Sequence, residues 1–146
     1  MKNLFSGLNN PISAFLLLVT VTLTLGGCTA LSTKNDAENM YIKASALTKL
    51  SYAVEATVQY DEYDINLSDK ELLSLSTQDD PSLLEPFAGY VLRVNRQFNH
   101  AIVLVCNANG TKGLLEDAGC SGPLDKYLWE KDSPCEFTLK ADVVCY

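Results

Sequence analysis

Hydrophobic spacing changes character three times along this chain of 146 residues. Ile12 to Leu25 (ISAFLLLVTVTLTL) is a continuous run, apolar except for one serine and three threonines. From Asn35 to about Tyr60, apolar residues recur at Met40, Ala44, Leu47, Val54 and Val58, with Leu50 alongside, while Lys43 and Lys49 fall off the stripe. No glycine or proline interrupts that segment, so the spacing predicts one long helix. Asn35 stands where a cap is needed, and Glu38 follows in capping-box position. Ser68-Asp-Lys-Glu71 is a second capping box, ahead of Leu72, Leu73 and Leu75. Asp80-Pro81 offers a cap followed by proline at the first helical position, with Leu83 and Leu84 to bury.

Beyond Pro86 the period falls to two. Tyr90, Leu92 and Val94 alternate with Val91, Arg93 and Asn95, the pattern of a half-buried strand. Ala101 to Cys106 (AIVLVC) is apolar on both faces and is expected at the centre of a sheet. Asn99-His100 would turn one strand into the next, and the Asn-Gly of Asn107–Gly110 would turn that one into a third, near Lys112 to Glu116. Turns at Ser121-Gly122-Pro123 and Ser133-Pro134 leave room for a short helix over Leu124 to Trp129 and a strand over Glu136 to Leu139. The expected fold class is α+β: a long N-terminal helix packed on a small antiparallel β meander, with a disulfide-stapled C-terminal part.

The first apolar run has another use. Met1 to Pro11 carries Lys2 as its only charge, and Gly26-Gly27 break the run before it reaches the ~20 residues a membrane span needs. A lightly positive start and a short apolar stretch ending in small residues is the layout of a secretory signal peptide. Leu25-Gly26-Gly27-Cys28 then resembles the lipobox of bacterial lipoproteins: a leucine, two small residues and a cysteine. The resemblance covers these first 28 residues. It implies that the Cys28 thiol receives a diacylglyceryl group, that the signal is cut before it, and that the new N-terminus is acylated, palmitate being the expected label. Two or more acyl chains anchor a protein stably where one does so only marginally. The residue after Cys28 is Thr29 rather than the aspartate that commonly retains such proteins in the inner membrane, which implies the outer membrane, facing the periplasm. The expected organisation is a signal peptide over 1–27, a lipidated tether over 28–34 that keeps the domain near its membrane, and one domain over 35–146.

Lys2 is the only charged residue in Met1 to Gly27, so the mature chain carries 10 basic against 18 acidic side chains, a net −8. That balance argues against nucleic acid and anionic headgroups, which recruit Lys/Arg patches, and suits a basic protein partner. Four cysteines remain: Cys106, Cys120, Cys135 and Cys145. An even count in a short exported chain reads as a disulfide framework. Zinc is the competing use, but no C-x₂₋₄-C pair is present and the only histidine, His100, lies outside the cysteine block. Of three pairings, Cys106–Cys120 with Cys135–Cys145 is favoured because each loop is short.

Catalytic patterns are missing. Ser or Cys nucleophiles usually need a histidine base, and His100 falls in a predicted turn as a solvent-facing group. There is no G-x-S-x-G, H-E-x-x-H, P-loop or G-x-G-x-x-G. Glu116-Asp117 is the neatest carboxylate pair, but neighbours on a strand point to opposite faces, and a charged hairpin edge is the expected role. Asp61, Glu62, Asp64 and Asp69 lack the order and glycine of a calcium loop. No catalytic residue, metal or cofactor is expected. The reading is a non-enzymatic envelope lipoprotein with an accessory or protein-interaction role; the alternative is an inhibitor or immunity lipoprotein against a basic periplasmic hydrolase. Tyr60, Asp61, Glu62, Tyr63 and Asp64 are the candidate binding surface, since aromatics supply contact area and carboxylates steer encounter.

Overall fold

A computed structural model describes residues 32–122, 126–127 and 133–145, with side chains from Ile42 onward in the first helix and Lys126 by its backbone alone. The expected signal peptide, Cys28, the expected tether before Ser32, Trp129 and most of the helix expected over Leu124 to Trp129 lie outside the described residues. The chain divides into two compact units, Met1–Lys34 and Asn35–Tyr146, and the second holds the sheet and both disulfides. Helix α1 is Ser32–Tyr60, so it already includes Asn35 and the end of the expected tether. Then come α2 (Asp69–Ser76), a 3₁₀ helix (Pro81–Phe87), strands β1 (Val91–Gln97), β2 (His100–Cys106), β3 (Gly113–Ala118) and β4 (Lys126–Tyr127), and a short α3 (Ala141–Val144). The class is α+β, with an antiparallel sheet in the order β1-β2-β3-β4. Among the described residues, no helix is long and apolar enough to cross a membrane.

Local chemistry sets several boundaries. Ser68 Oγ accepts the Glu71 N–H at 3.4 Å while Glu71 Oε2 accepts the Ser68 N–H at 2.9 Å, closing the capping box of α2. The Ser68 side-chain and backbone hydrogen bonds lower the Glu71 pKa by favouring its charged form. Asp80 Oδ1 accepts the Ser82 N–H at 3.2 Å, but Pro86 supplies no N–H to continue a ladder, and the segment stays a tight 3₁₀ turn. The β1–β2 turn is Phe98-Asn99, one residue earlier than expected. Gln97 pairs with His100, which is therefore the first residue of a strand and not a turn residue. In the next loop only Gly110 is left-handed (φ 66°), with its N–H on Asn107 O at 2.8 Å. Asn107 Oδ1 holds the N–H groups of Thr111 and Lys112, so the Asn-Gly signal gives a loop wider than two residues.

β2 is buried throughout except for a half-buried His100, and its faces meet different neighbours. Ala101, Val103 and Val105, with Val94 and Leu115, pack against Leu47, Leu50, Val54 and Val58 of α1 and Leu72 and Leu73 of α2. Ile102, Leu104 and Cys106 face the other way, toward Cys135, Phe137, Leu139, Ala141 and Val144. Residues 133–145 thus run across the second face of the sheet.

That segment overturns two expectations. Glu136 to Leu139 is not a strand, because it crosses the face of the sheet, where no backbone ladder is on offer. Its amides go to a side chain instead: Glu116 Oε1 accepts the N–H groups of Thr138 and Leu139, each at 2.8 Å, and Oε2 accepts Thr138 Oγ1 at 2.8 Å. The disulfides are Cys106–Cys135 and Cys120–Cys145, with Cα separations of 5.6 and 5.5 Å, and not the sequential pairs. Cys106 opposes Gly113, at one end of the β2–β3 hairpin, while Cys120 follows β3 at the other end. Six strand residues at ~3.4 Å each put those two cysteines about 20 Å apart, far beyond the ~7 Å a disulfide spans. At Lys126-Tyr127, inside the expected helix, the backbone is a strand paired with Leu115 and Glu116.

Candidate functional site

Beyond the last residue of β3 the chain must clear α1 closely. A Cβ at Gly119 would lie 2.1 Å from Ser51 O and 2.5 Å from Glu55 Cβ, so only glycine fits there. This contact brings Glu55, which is buried at 6% side-chain exposure, to the end of β2. Ala101 O accepts the Gly119 N–H at 3.0 Å, the last bond of the ladder. The Ala101 N–H has no further residue of β3 to bond, and it donates to Glu55 Oε2 at 2.5 Å. Glu55 Oε1 lies 2.5 Å from His100 Nδ1 and accepts Gln59 Nε2 at 2.6 Å. A carboxylate only accepts, so the geometry assigns the Nδ1 proton to His100 and leaves Nε2 free of that bond.

These groups wall a cleft of about 220 Å³, whose rim includes Tyr52, Tyr60 and the Cys120–Cys145 disulfide. His100 is 28% exposed, and Cys120 and Cys145 are half-buried. A ligand atom of His100 and the two Sγ atoms all lie within 4.8 Å of one another. His100 is consequently a partnered group at a cleft floor and not a solvent-facing turn residue. The position of Glu55 on an otherwise polar flank of α1 was open to view in the sequence, but its distant partners were not.

The second candidate surface lies at the Tyr60 end of α1. Tyr60 is 81% exposed, Ile65 76% and Phe98 83%, the three most exposed large hydrophobic side chains among the described residues. Arg96, on the β hairpin, donates to Ile65 O at 2.9 Å and to Leu67 O at 3.1 Å, which ties the 61–67 loop to the Phe98 hairpin. Phe98 holds a left-handed φ of 59°, uncommon for a non-glycine residue, at the tip of that hairpin. Asp61, Glu62 and Asp64 are exposed in the 61–67 loop. Tyr63 is different: it packs half-buried on the main core and supports the loop from below. Ile65 and Phe98 belong to this surface and carry no acidic or aromatic-cluster signal that would have singled them out.

Glu116 and Asp117 do point to opposite faces, but both are fully buried on β3, so they form no charged hairpin edge. Glu116 holds the C-terminal segment, and Asp117 Oδ2 accepts Thr48 Oγ1 at 2.8 Å. β4 and the 133–145 segment cover the side on which solvent was expected. No protein-family model, curated protein or solved structure matches this chain.

Proposed function

We propose that this chain is a non-enzymatic envelope lipoprotein, held at the outer membrane by lipid on Cys28 and binding a protein in the periplasm. The observation that carries the binding role is the exposure of Tyr60, Ile65 and Phe98, with Arg96 tying the acidic 61–67 loop to the Phe98 hairpin. Exposed apolar side chains near carboxylates suit an interaction surface, and the carboxylates select a basic partner. Two disulfides support export into an oxidising compartment.

Two measurements test this reading. Growth on labelled palmitate marks the wild type and leaves Cys28→Ala unmarked; equal labelling removes the anchor. Cross-linking in intact cells captures a basic protein at the Tyr60 end. Association with it slows as salt shortens the Debye length from ~10 Å at 0.1 M to ~3 Å at 1 M, and Asp61→Lys with Glu62→Lys deepens that loss. Phe98→Ala weakens binding about tenfold or more, mainly through faster dissociation. Salt-indifferent binding to an acidic partner would sink the charge argument. Capture of a soluble basic hydrolase, with loss of its activity, selects the inhibitor alternative.

A further inference from the structure

The Glu55–His100–Cys120–Cys145 cluster has the parts of a metal centre, two of them locked to each other by a bond. We propose that reduction of the Cys120–Cys145 disulfide opens a Zn²⁺ site formed by the Cys120 and Cys145 thiolates and His100 Nε2, with Glu55 as the positioning residue. Three observations carry it.

Both sulfurs and a ring nitrogen of His100 are already gathered, within 4.8 Å of one another, on three separate parts of the fold. Tetrahedral zinc with Zn–S of ~2.3 Å and Zn–N of ~2.0 Å needs ligand atoms roughly 3.4–3.8 Å apart. The sulfurs, bonded at ~2 Å in a disulfide, therefore separate by under ~2 Å to reach that geometry. Metal-bound histidines almost always donate their second ring N–H to a carboxylate, which fixes the tautomer and raises ligand basicity. The 2.5 Å contact of Glu55 Oε1 with His100 Nδ1 is that arrangement, and Gln59 and Ala101 hold the carboxylate in place. The cleft leaves the fourth coordination position to water or to a ligand entering past Tyr52 and Tyr60.

The chemistry balances with a dithiol as reductant. It delivers two electrons and two protons, the Cys120–Cys145 bond breaks to two thiols, and the reductant closes to its own disulfide. Zn²⁺ then displaces both thiol protons to solvent and binds the two thiolates and the neutral imidazole. A disulfide oxidant reverses the sequence: it takes two electrons from the two thiolates and is itself reduced to a dithiol with two protons from solvent, the Cys120–Cys145 bond re-forms and the ion is expelled, so occupancy follows redox state. Spacing hid this site: residues 100, 120 and 145 match no close-pair zinc pattern.

Cobalt(II) is the probe. The full chain, reduced with limiting dithiothreitol and desalted without oxygen, is expected to bind one Co²⁺ with a thiolate-to-metal charge-transfer band that Zn²⁺ abolishes. The oxidised chain shows no such band. In the same wild-type sample Zn²⁺ protects Cys120 and Cys145 from alkylation, while peptide mapping finds Cys106–Cys135 intact; this readout requires no variant to fold. Glu55→Gln weakens metal affinity about 10–100-fold, and His100→Gln weakens it more. Absence of the band in reduced protein, unprotected Cys120 and Cys145, equal binding by His100→Gln, or binding undiminished in urea would each overturn the proposal.

Discussion

On one face of the sheet, Val94, Ala101, Val103, Val105 and Leu115 meet four apolar side chains of α1 and two of α2 in a single continuous core. On the other face, Ile102, Leu104 and Cys106 meet a 13-residue segment in two small clusters. The first face is covered by helices, whose backbones satisfy themselves, so apolar burial alone can hold them. The second is covered by residues 133–145, of which only Ala141–Val144 is helical. Its extended backbone brings polar groups onto a buried surface, where an unpaired N–H is costly. Two disulfides, the Glu116 carboxylate, Gln97 Oε1 on the Ala141 N–H at 2.9 Å, and Arg93 on Cys135 O at 2.8 Å do there what helix geometry does opposite. Arg93 also stacks over Phe137, 5.6 Å from the ring centroid. An irregular cover can replace a helix, provided that covalent and side-chain bonds satisfy it.

If the two faces are held differently, they should fail differently. Leu50→Ala, at a fully buried position of α1, is expected to cost about 3–5 kcal/mol and to lower the urea midpoint of the whole domain in one transition. A loss below ~1 kcal/mol would show that the helix face is not the main core. Next comes the joint change of Cys106→Ser and Cys135→Ser. Closing a loop with a sequence separation of 29 stabilises by about 3–4 kcal/mol in the chain-entropy model. Amide exchange should accelerate first across 133–139 and only later in Leu47–Val58. Uniform acceleration would erase the distinction between the faces.

Glu116→Gln should have the smallest effect, about 1–3 kcal/mol, because the amide keeps one acceptor and the shape but loses the charge-assisted bonds. Its signature is local: faster exchange at Thr138 and Leu139, the two amides bonded to Oε1. Unchanged exchange there would mean that the segment is held by its disulfides alone.

Much of the helix-facing half could be read along the chain. Ser68 and Glu71 lie three apart and close a cap; Leu92 and Val94 lie two apart and share a face; the unbroken run Ala101–Cys106 has no polar side to show to water. Each of these is a local pattern imposed by helix or strand geometry, and the order of residue types suffices to see it. The four cysteines likewise announced disulfides.

What pairs with what is another matter, because it depends on which distant residues the fold brings together. Cys106 and Cys120 lie 14 positions apart, yet the hairpin carries them to opposite ends. Glu116 had the look of a solvated edge residue until β4 and the 133–145 segment covered it. Glu55, His100, Cys120 and Cys145 span 90 positions and meet only because Gly119 lets β3 end against α1. Side-chain period and type were enough for α2, the strands β1, β2 and β3, their apolar faces and the need for disulfides. The disulfide partners, the burial of two carboxylates and the cleft follow instead from strand register and the close passage of a backbone without a side chain, which no local pattern encodes.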